Sequence, residues 1–337
     1  MKRVLQDKDY VHLGRSGLKI SRIILGTMNF GPVTCEKDSF AIMDKAMETG
    51  INFFDTANIY GANLEPRCSV GLTEEIIGKW FSLGGGRRER IVLGTKVYGL
   101  MDRENNWPNT SRLSARHIIE QCEASLKRLK TDRIDLYQMH HIDRETPWEE
   151  IWQAFSTLIQ QGKVLYVGSS NFAGWHIVQA IESARKSGLM GIVSEQCHYN
   201  LINRLPEIEL IPACKAYGVG IICWSPLGGG VLAGMSQIDN GKRRLSGWAK
   251  QVMEKHRVEI EKYNMLCKEM GIEPAVVALA WLLSRNFVTG PIIGPRTVEQ
   301  LESSLKALTV KLDETVLKKL EEIWQGPGKE APEVWAW

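Results

Sequence analysis

The chain has 337 residues, 44% hydrophobic and 24% charged, which is enough apolar material for a large buried core. A net charge of +3, with Lys and Arg scattered through helical segments, argues against a nucleic-acid or membrane surface. No apolar run reaches the ~18–20 residues that a membrane span needs, so no membrane partner is expected.

An opening pair, Tyr10–Leu13 and Leu18–Ser21 around Gly14-Arg15-Ser16-Gly17, reads as a β-hairpin. Short apolar runs then alternate with helical patterns. The strands are expected near 22–26, 51–55, 91–95, 133–139, 164–168, 192–196, 219–223 and 290–293. Helices are expected near 38–49, 71–82, 114–129, 149–161, 173–187, 206–217, 274–285 and 297–307. Eight strand–helix pairs of this kind predict an α/β fold, a closed (β/α)8 TIM barrel. The strands are apolar almost throughout, as strands covered on both faces are. Gly50, Gly162, Gly188 and Gly218 each follow a helical pattern, where a left-handed cap is expected. Gly84-Gly85-Gly86 reads as a surface turn.

The whole of 1–337 is expected to be one domain, with a barrel core at about 22–310 and a C-terminal helix and tail at 313–337. A polar segment, 236–248, and a helical pattern, 251–269, come before the eighth unit. The tail from Gln325 is expected to dock partially through Trp335 and Trp337. Seven cysteines form no CxxC pair, and Met1-Lys2-Arg3 opens no apolar leader, so reduced thiols in the cytoplasm are expected.

Chemistry-bearing residues follow the early strands. Phe53-Phe54 leads into Asp55 with Tyr60 five residues on, Ile91-Val92-Leu93 leads to Lys96, and Ile134–Met139 leads to His140. An acid, a phenol, an amine and an imidazole at one barrel mouth suit proton delivery to a carbonyl oxygen. Tyr60 is the natural donor. A tyrosine titrates near ~10, and one ammonium at contact is worth the ~3–4 kcal/mol needed to lower that by ~2–3 units. Lys96 is expected to do so, Asp55 to hold Lys96 charged, and His140 to align the substrate oxygen. No side chain supplies hydride, so a nicotinamide cofactor is implied. His141 is expected to point away from His140, while His198 and Tyr199 serve either the mouth or packing. No HExxH, Cys/His cluster or GxSxG elbow occurs, so neither a metal nor a serine nucleophile is expected.

The dinucleotide fingerprint GxGxxG is also absent, so phosphate recognition falls to late barrel loops. Ile292-Ile293-Gly294-Pro295-Arg296-Thr297 is a strand-to-helix turn in which Gly294 permits close approach. Arg296 offers a fork for a 2′-phosphate, favouring NADPH over NADH.

GTMNFG (26–31), NFFDTANIYG (52–61), GTKVYG (94–99), IDLYQMHHID (134–143) and VGSSNF (167–172) together resemble the aldo-keto reductases. SEQ at 194–196, WSPLGGG from Trp224 and IIGPRTVEQLESS from Ile292 extend the likeness over almost the whole chain. The resemblance implies the same roles for Asp55, Tyr60, Lys96 and His140. It further implies Ser170, Asn171 and Gln196 as nicotinamide-amide partners, with Trp224 stacked on the ring. Gly26, Thr27, Met28 and Asp55 fall on the cofactor side of the first two loops, and Ser225, Leu227 and Gly229 on the pyrophosphate path. Arg296, Gln300, Ser303 and Ser304 fall at the adenosine end, although the family often has Glu and Asn in place of the two serines. Lys242, Arg243 and Arg244 are candidate phosphate-lid residues. The implied activity is reduction of a small aldehyde or ketone. Glu65-Pro66-Arg67, in a long loop at 62–71, suits an anionic or sugar-like substrate. The wording also resembles bacterial reductases of deoxysugar pathways. Potassium-channel β subunits of this fold supply the alternative, a regulatory cofactor binder.

Overall fold

A computed structural model describes residues 5–62, 69–101, 107–234 and 247–336. Among these residues ten strands form: β1 Tyr10–His12, β2 Lys19–Ser21, β3 Ile24–Gly26, β4 Phe53–Asp55, β5 Val92–Val97, β6 Ile134–Met139, β7 Val164–Ser170, β8 Ile192–His198, β9 Gly220–Trp224 and β10 Val288–Ile293. The first two pair antiparallel, and the other eight close a parallel barrel in the order β10-β3-β4-β5-β6-β7-β8-β9. The eight expected helices all form, over Glu36–Thr49, Leu72–Phe81, Ala115–Leu129, Trp148–Gln160, Gly174–Lys186, Leu210–Tyr217, Pro274–Ser284 and Val298–Leu305. Gly50 caps the first in the left-handed region at φ 102°, a conformation that only glycine enters freely.

Because side chains alternate along a strand, every second residue points into the barrel. Ile24, Phe53, Val92, Leu136, Ile222 and Ile292 form an apolar inner layer, closed from the N-terminal end by Leu13 and Ile20 of the hairpin. The hairpin is therefore the barrel's floor. It enters so closely that a Cβ on Gly14 would lie 2.3 Å from the Val193 carbonyl oxygen. Further along the barrel axis, the inward positions become Asp55, Lys96, Gln138, Ser170 and Gln196. The register carries Asp55 beside Gly94, Lys96 beside Gln138, and Ser170 beside Gln196. The interior thus changes from hydrocarbon to polar within a pleat or two.

Some boundaries differ from the expected ones for identifiable reasons. β5, β7 and β8 run two residues further than expected, which brings Lys96 and Ser170 into strands and leaves Gln196 short of its strand's end. Polar residues can continue the ladder there because the barrel interior pairs their side chains. The expected helix 206–217 is a 3-10 turn at Leu205–Glu207 followed by Leu210–Tyr217, and the pattern 251–269 breaks at His256 into two helices, Gly247–Lys255 and Arg257–Met270. The tail docks, but not through Trp335, which is 67% exposed. Its anchor is the Ala331 amide on the Ile208 carbonyl (2.8 Å); just before the tail, Trp324 is buried and its carbonyl accepts from Arg204 (3.1 Å). Trp337 lies outside the described residues. No described helix is long and apolar enough to cross a membrane. The six described cysteines are free, and all but Cys35 are buried.

Glu195, the outward neighbour of Gln196 on β8, is fully buried, and its partners among the described residues are neutral. It accepts from the Ser169 hydroxyl and the Phe172 amide (3.0 Å), but burial pushes its carboxyl up to about 8. The unfolded chain ionises this group from about 4.5, while the folded chain keeps the proton to about 8. Stability therefore declines as pH rises through that window, by at most about 1.4 kcal/mol per unit from this group. Glu195→Gln keeps both contacts, since its oxygen can accept from Phe172 and its nitrogen can donate to Ser169. Denaturant unfolding at pH 5, 6.5 and 8 should show the variant gaining on the native protein as pH rises. A constant difference would mean that Glu195 does not titrate in that range.

Candidate active site

Lys96 projects from β5 into the barrel with no exposed surface. Its ammonium donates to Asp55 Oδ2 (2.6 Å), the Thr56 carbonyl (2.8 Å) and the Tyr60 hydroxyl (3.2 Å). Three donors meet three acceptors, so the group is saturated. Burial alone would discharge it, but the Asp55 charge and the Tyr60 oxygen outweigh burial and leave Lys96 above its ordinary value. Tyr60 sits in the turn after β4, where its amide donates to Ala57 and its carbonyl accepts from Gly71. Its hydroxyl accepts from Lys96, which leaves its own proton to be given elsewhere.

The expectation that Lys96 brings Tyr60 below its ordinary pKa needs correction. Burial raises the phenol, Lys96 draws it down, and Asp55 raises it again, for a net upward direction. Reasoning from a single ammonium leaves out the dehydration of the phenolate and the second charge behind the lysine. Tyr60 is thus a protonated acid through neutrality.

His140 follows β6, its amide bonded to the Val97 carbonyl (2.9 Å). Its ring stands edge-on to Tyr60, centroids 6.0 Å apart. Burial, then Lys96 and His141, hold it well below the usual imidazole range, so it is neutral at pH 7. His141 does not point away, as expected, but lies parallel to His140 at 5.4 Å with Tyr98 edge-on beside it. The chain leaves β6 after Met139, so strand alternation no longer separates the two rings. His198 is at the mouth, stacked on Trp224 at 4.3 Å, while Tyr199 is core, packed on Trp281 and Phe287.

The residues expected at a cofactor divide into three groups. At the mouth, Ser170 donates to the Gln196 carbonyl (2.9 Å), and Asn171 accepts from the Trp224 indole (3.0 Å) while donating to the His140 carbonyl (3.1 Å). Gln196 donates its amide nitrogen to Asp55 Oδ1 (2.8 Å), and its amide oxygen takes no hydrogen bond among the described residues. That free acceptor suits a carboxamide N–H. Trp224 is half-buried, one face against His198.

Along the next loops, Thr27 donates through both amide and hydroxyl to the Asp55 carbonyl, and Met28 is 39% exposed. Gly26 is required by β10 itself, since a Cβ would lie 2.5 Å from Ile292. Ser225 holds φ 52° with its hydroxyl accepting from the Gly229 amide (3.0 Å), and Leu227 is half-buried beside them. Gly229 is exposed, with Trp248 close on one side, where a Cβ would meet it at 2.9 Å.

After β10, the Arg296 amide donates to Gln300 (2.9 Å), and its guanidinium makes no ion pair among the described residues. Asn29, which the sequence does not single out, donates to the Gly294 carbonyl (2.9 Å) and ties this turn to the β3 loop. Ser304 bonds back to the Gln300 carbonyl (2.8 Å). Ser303 donates to Glu273 (2.7 Å), a carboxylate shared with Lys306. Lys242, Arg243, Arg244 and Glu65-Pro66-Arg67 lie outside the described residues. An open amide acceptor at one end and a guanidinium without an ion pair at the other fit a nicotinamide dinucleotide.

Residues 22–325 match the model of the aldo/keto reductase family. An uncharacterized oxidoreductase of Bacillus subtilis is 53% identical over 98% of this chain and 100% of its own length. The versiconal hemiacetal acetate reductase of Aspergillus parasiticus is 34% identical over 93% of this chain and 96% of its own length. A putative voltage-gated potassium channel subunit beta of Schizosaccharomyces pombe is 35% identical over 92% of each chain. The barrel, the order of its motifs and these relatives agree: the chain belongs to the aldo-keto reductase family, oxidoreductases that work with a nicotinamide cofactor.

Proposed function

We propose that this protein reduces an aldehyde or ketone to the alcohol with NADPH, Tyr60 giving the proton to the carbonyl oxygen. The observation that carries the reading is the saturated Lys96 ammonium, which touches the Tyr60 oxygen and nothing of the solvent. When bound, the nicotinamide supplies a hydride to the carbonyl carbon. Charge then grows on the carbonyl oxygen, which neutral His140 steadies with a hydrogen bond. Tyr60 passes its proton to that oxygen, and Lys96, held by Asp55, stabilises the phenolate left behind. Gln196, Ser170 and Asn171 hold the amide end of the cofactor, Trp224 its ring, and Arg296 the 2′-phosphate. The channel-subunit relatives support a second reading, a cofactor-binding regulatory subunit with slow turnover. Oxidation of NADPH with a panel of aldehydes separates the two.

Tyr60→Phe keeps the ring and should bind NADPH normally in a fluorescence titration. Its reduction of every aldehyde in the panel should fall by roughly 100–10,000-fold. Near-native turnover would place the proton elsewhere.

The direction of the tyrosine's pKa sets the pH dependence. Reduction uses the protonated phenol and should hold through neutrality. Alcohol oxidation needs the phenolate, so its rate should climb as pH rises. Lys96→Met removes the one positive neighbour and should move that climb to higher pH. An oxidation rate flat from about pH 7 to 10 in the native enzyme would contradict the assignment.

Arg296→Ala should weaken NADPH by about 1–3 kcal/mol, the scale of a charged hydrogen bond, with NADH changed far less. Equal losses for both cofactors in the titration would remove Arg296 as the discriminating group.

A further inference from the structure

We infer that Gln138 is a positioning residue that joins the amide end of the cofactor site to the proton donor, by locking Asp55 and Gln196 into one arrangement. The inference rests on the catalytic reading above and deepens it.

Gln138 lies on β6, fully buried, its side chain inside the barrel. Its Nε2 donates to Asp55 Oδ1 (3.0 Å), and its Oε1 accepts from Gln196 Nε2 (3.2 Å). Gln196 Nε2 also donates to Asp55 Oδ1 (2.8 Å), which closes a triangle of three side chains from β4, β6 and β8. A carboxylate only accepts, so both amides must turn their nitrogens toward Asp55. With its nitrogen turned to Asp55, Gln138 presents its oxygen on the other side, and that oxygen faces the second N–H of Gln196.

Two consequences are built into this arrangement. With two N–H groups on Oδ1, the Asp55 carboxylate cannot rotate, and Oδ2 is aimed at Lys96 and through it at Tyr60. With its nitrogen engaged twice, Gln196 cannot flip, so it presents an acceptor, not a donor, to whatever enters the mouth. Either lock alone could serve packing. Together they make the amide subsite and the acid subsite parts of one hydrogen-bonded unit.

The barrel also makes room for this side chain. A Cβ on Gly168 of β7 would come 3.1 Å from Gln138 Cγ, tighter than side chains ordinarily pack, so the bare backbone there leaves this side chain its space.

The test uses Gln138→Leu and Gln138→Glu in the full chain, with NADPH affinity by fluorescence, kcat and KM for an aldehyde, and thermal melting. Gln138→Leu should lower kcat by on the order of 10–100-fold, the scale of a misplaced catalytic group, and weaken NADPH several-fold. Aldehyde KM should change little. The ionisable groups facing this position are Asp55 from β4, Lys96 from β5 and Tyr60 behind them; β7 and β8 offer only neutral Ser170 and Gln196. In Gln138→Glu, the new carboxyl can donate to Asp55 as the amide does while it is protonated, whereas its ionised form would oppose Asp55. Both kcat and NADPH affinity of this variant should therefore be near native at low pH and fall through an ionisation that the native enzyme lacks. It also carries the comparison if the leucine variant does not fold. Native-like affinity and kcat in both variants, or a pH-independent loss in Gln138→Glu, would overturn the inference. Tyr60→Phe is unaffected by either outcome, so a failure here is distinct from a failure of the proton-donor reading, and the affinity measurement stands even without turnover.

Discussion

A lysine ammonium sealed inside a barrel is costly unless its charge is matched and its donors are met, since burial penalises an ion by several kcal/mol. Lys96 meets both demands with one carboxylate, one carbonyl and one phenol. Each partner is fixed by something else: Asp55 by two glutamines, Thr56 by its amide on the Gly94 carbonyl, and Tyr60 by its turn. The ion pair is therefore less a source of stability than a constraint that organises four strands around a single carboxylate. It also explains why the phenol tolerates its position. The ammonium does not make Tyr60 acidic in absolute terms, but it moderates what burial would otherwise do.

Much of the site is legible in the sequence because strand alternation is strict. An apolar residue at the inner layer, followed along the same face by Asp55, Lys96 or Gln138, leaves little freedom about where the polar group goes. Asp55, Lys96 and His140 announce themselves as ionisable groups ending hydrophobic runs. Gln138 does not. It lies unremarked inside the expected strand 133–139, and its partner Gln196 lies 58 residues away, so only closure of the barrel reveals the pair. The tyrosine's direction is misjudged from sequence for a related reason: a pairwise Coulomb estimate contains the nearest charge but not the loss of water. Ser303 shows the converse limit. Its position can be carried across by resemblance, but its hydroxyl answers to Glu273, a contact set by how Val298–Leu305 packs on Pro274–Ser284.

The buried carboxyls show that polarity in this interior is distributed by purpose. Glu74 is held by Thr95 (2.6 Å) and Arg128 (2.7 Å) between strand and helices, a neutralised brace. Glu195 has neutral donors and keeps its proton instead. Asp55 has a full cation. Three acids of similar burial thus take three different sets of partners, each supplied by the neighbouring elements.

The hairpin floor gives the barrel a single open end. Leu13 and Ile20 complete the apolar layer from below, so cohesion resides at one pole and chemistry at the other. The boundary between them is only a pleat or two thick. Loops at the open end can change length and composition without disturbing the residues that hold the strands together. Such a division of labour makes the architecture evolvable: the residues around the mouth can drift while the apolar inner layer and the Asp55–Lys96–Tyr60 cluster stay as they are.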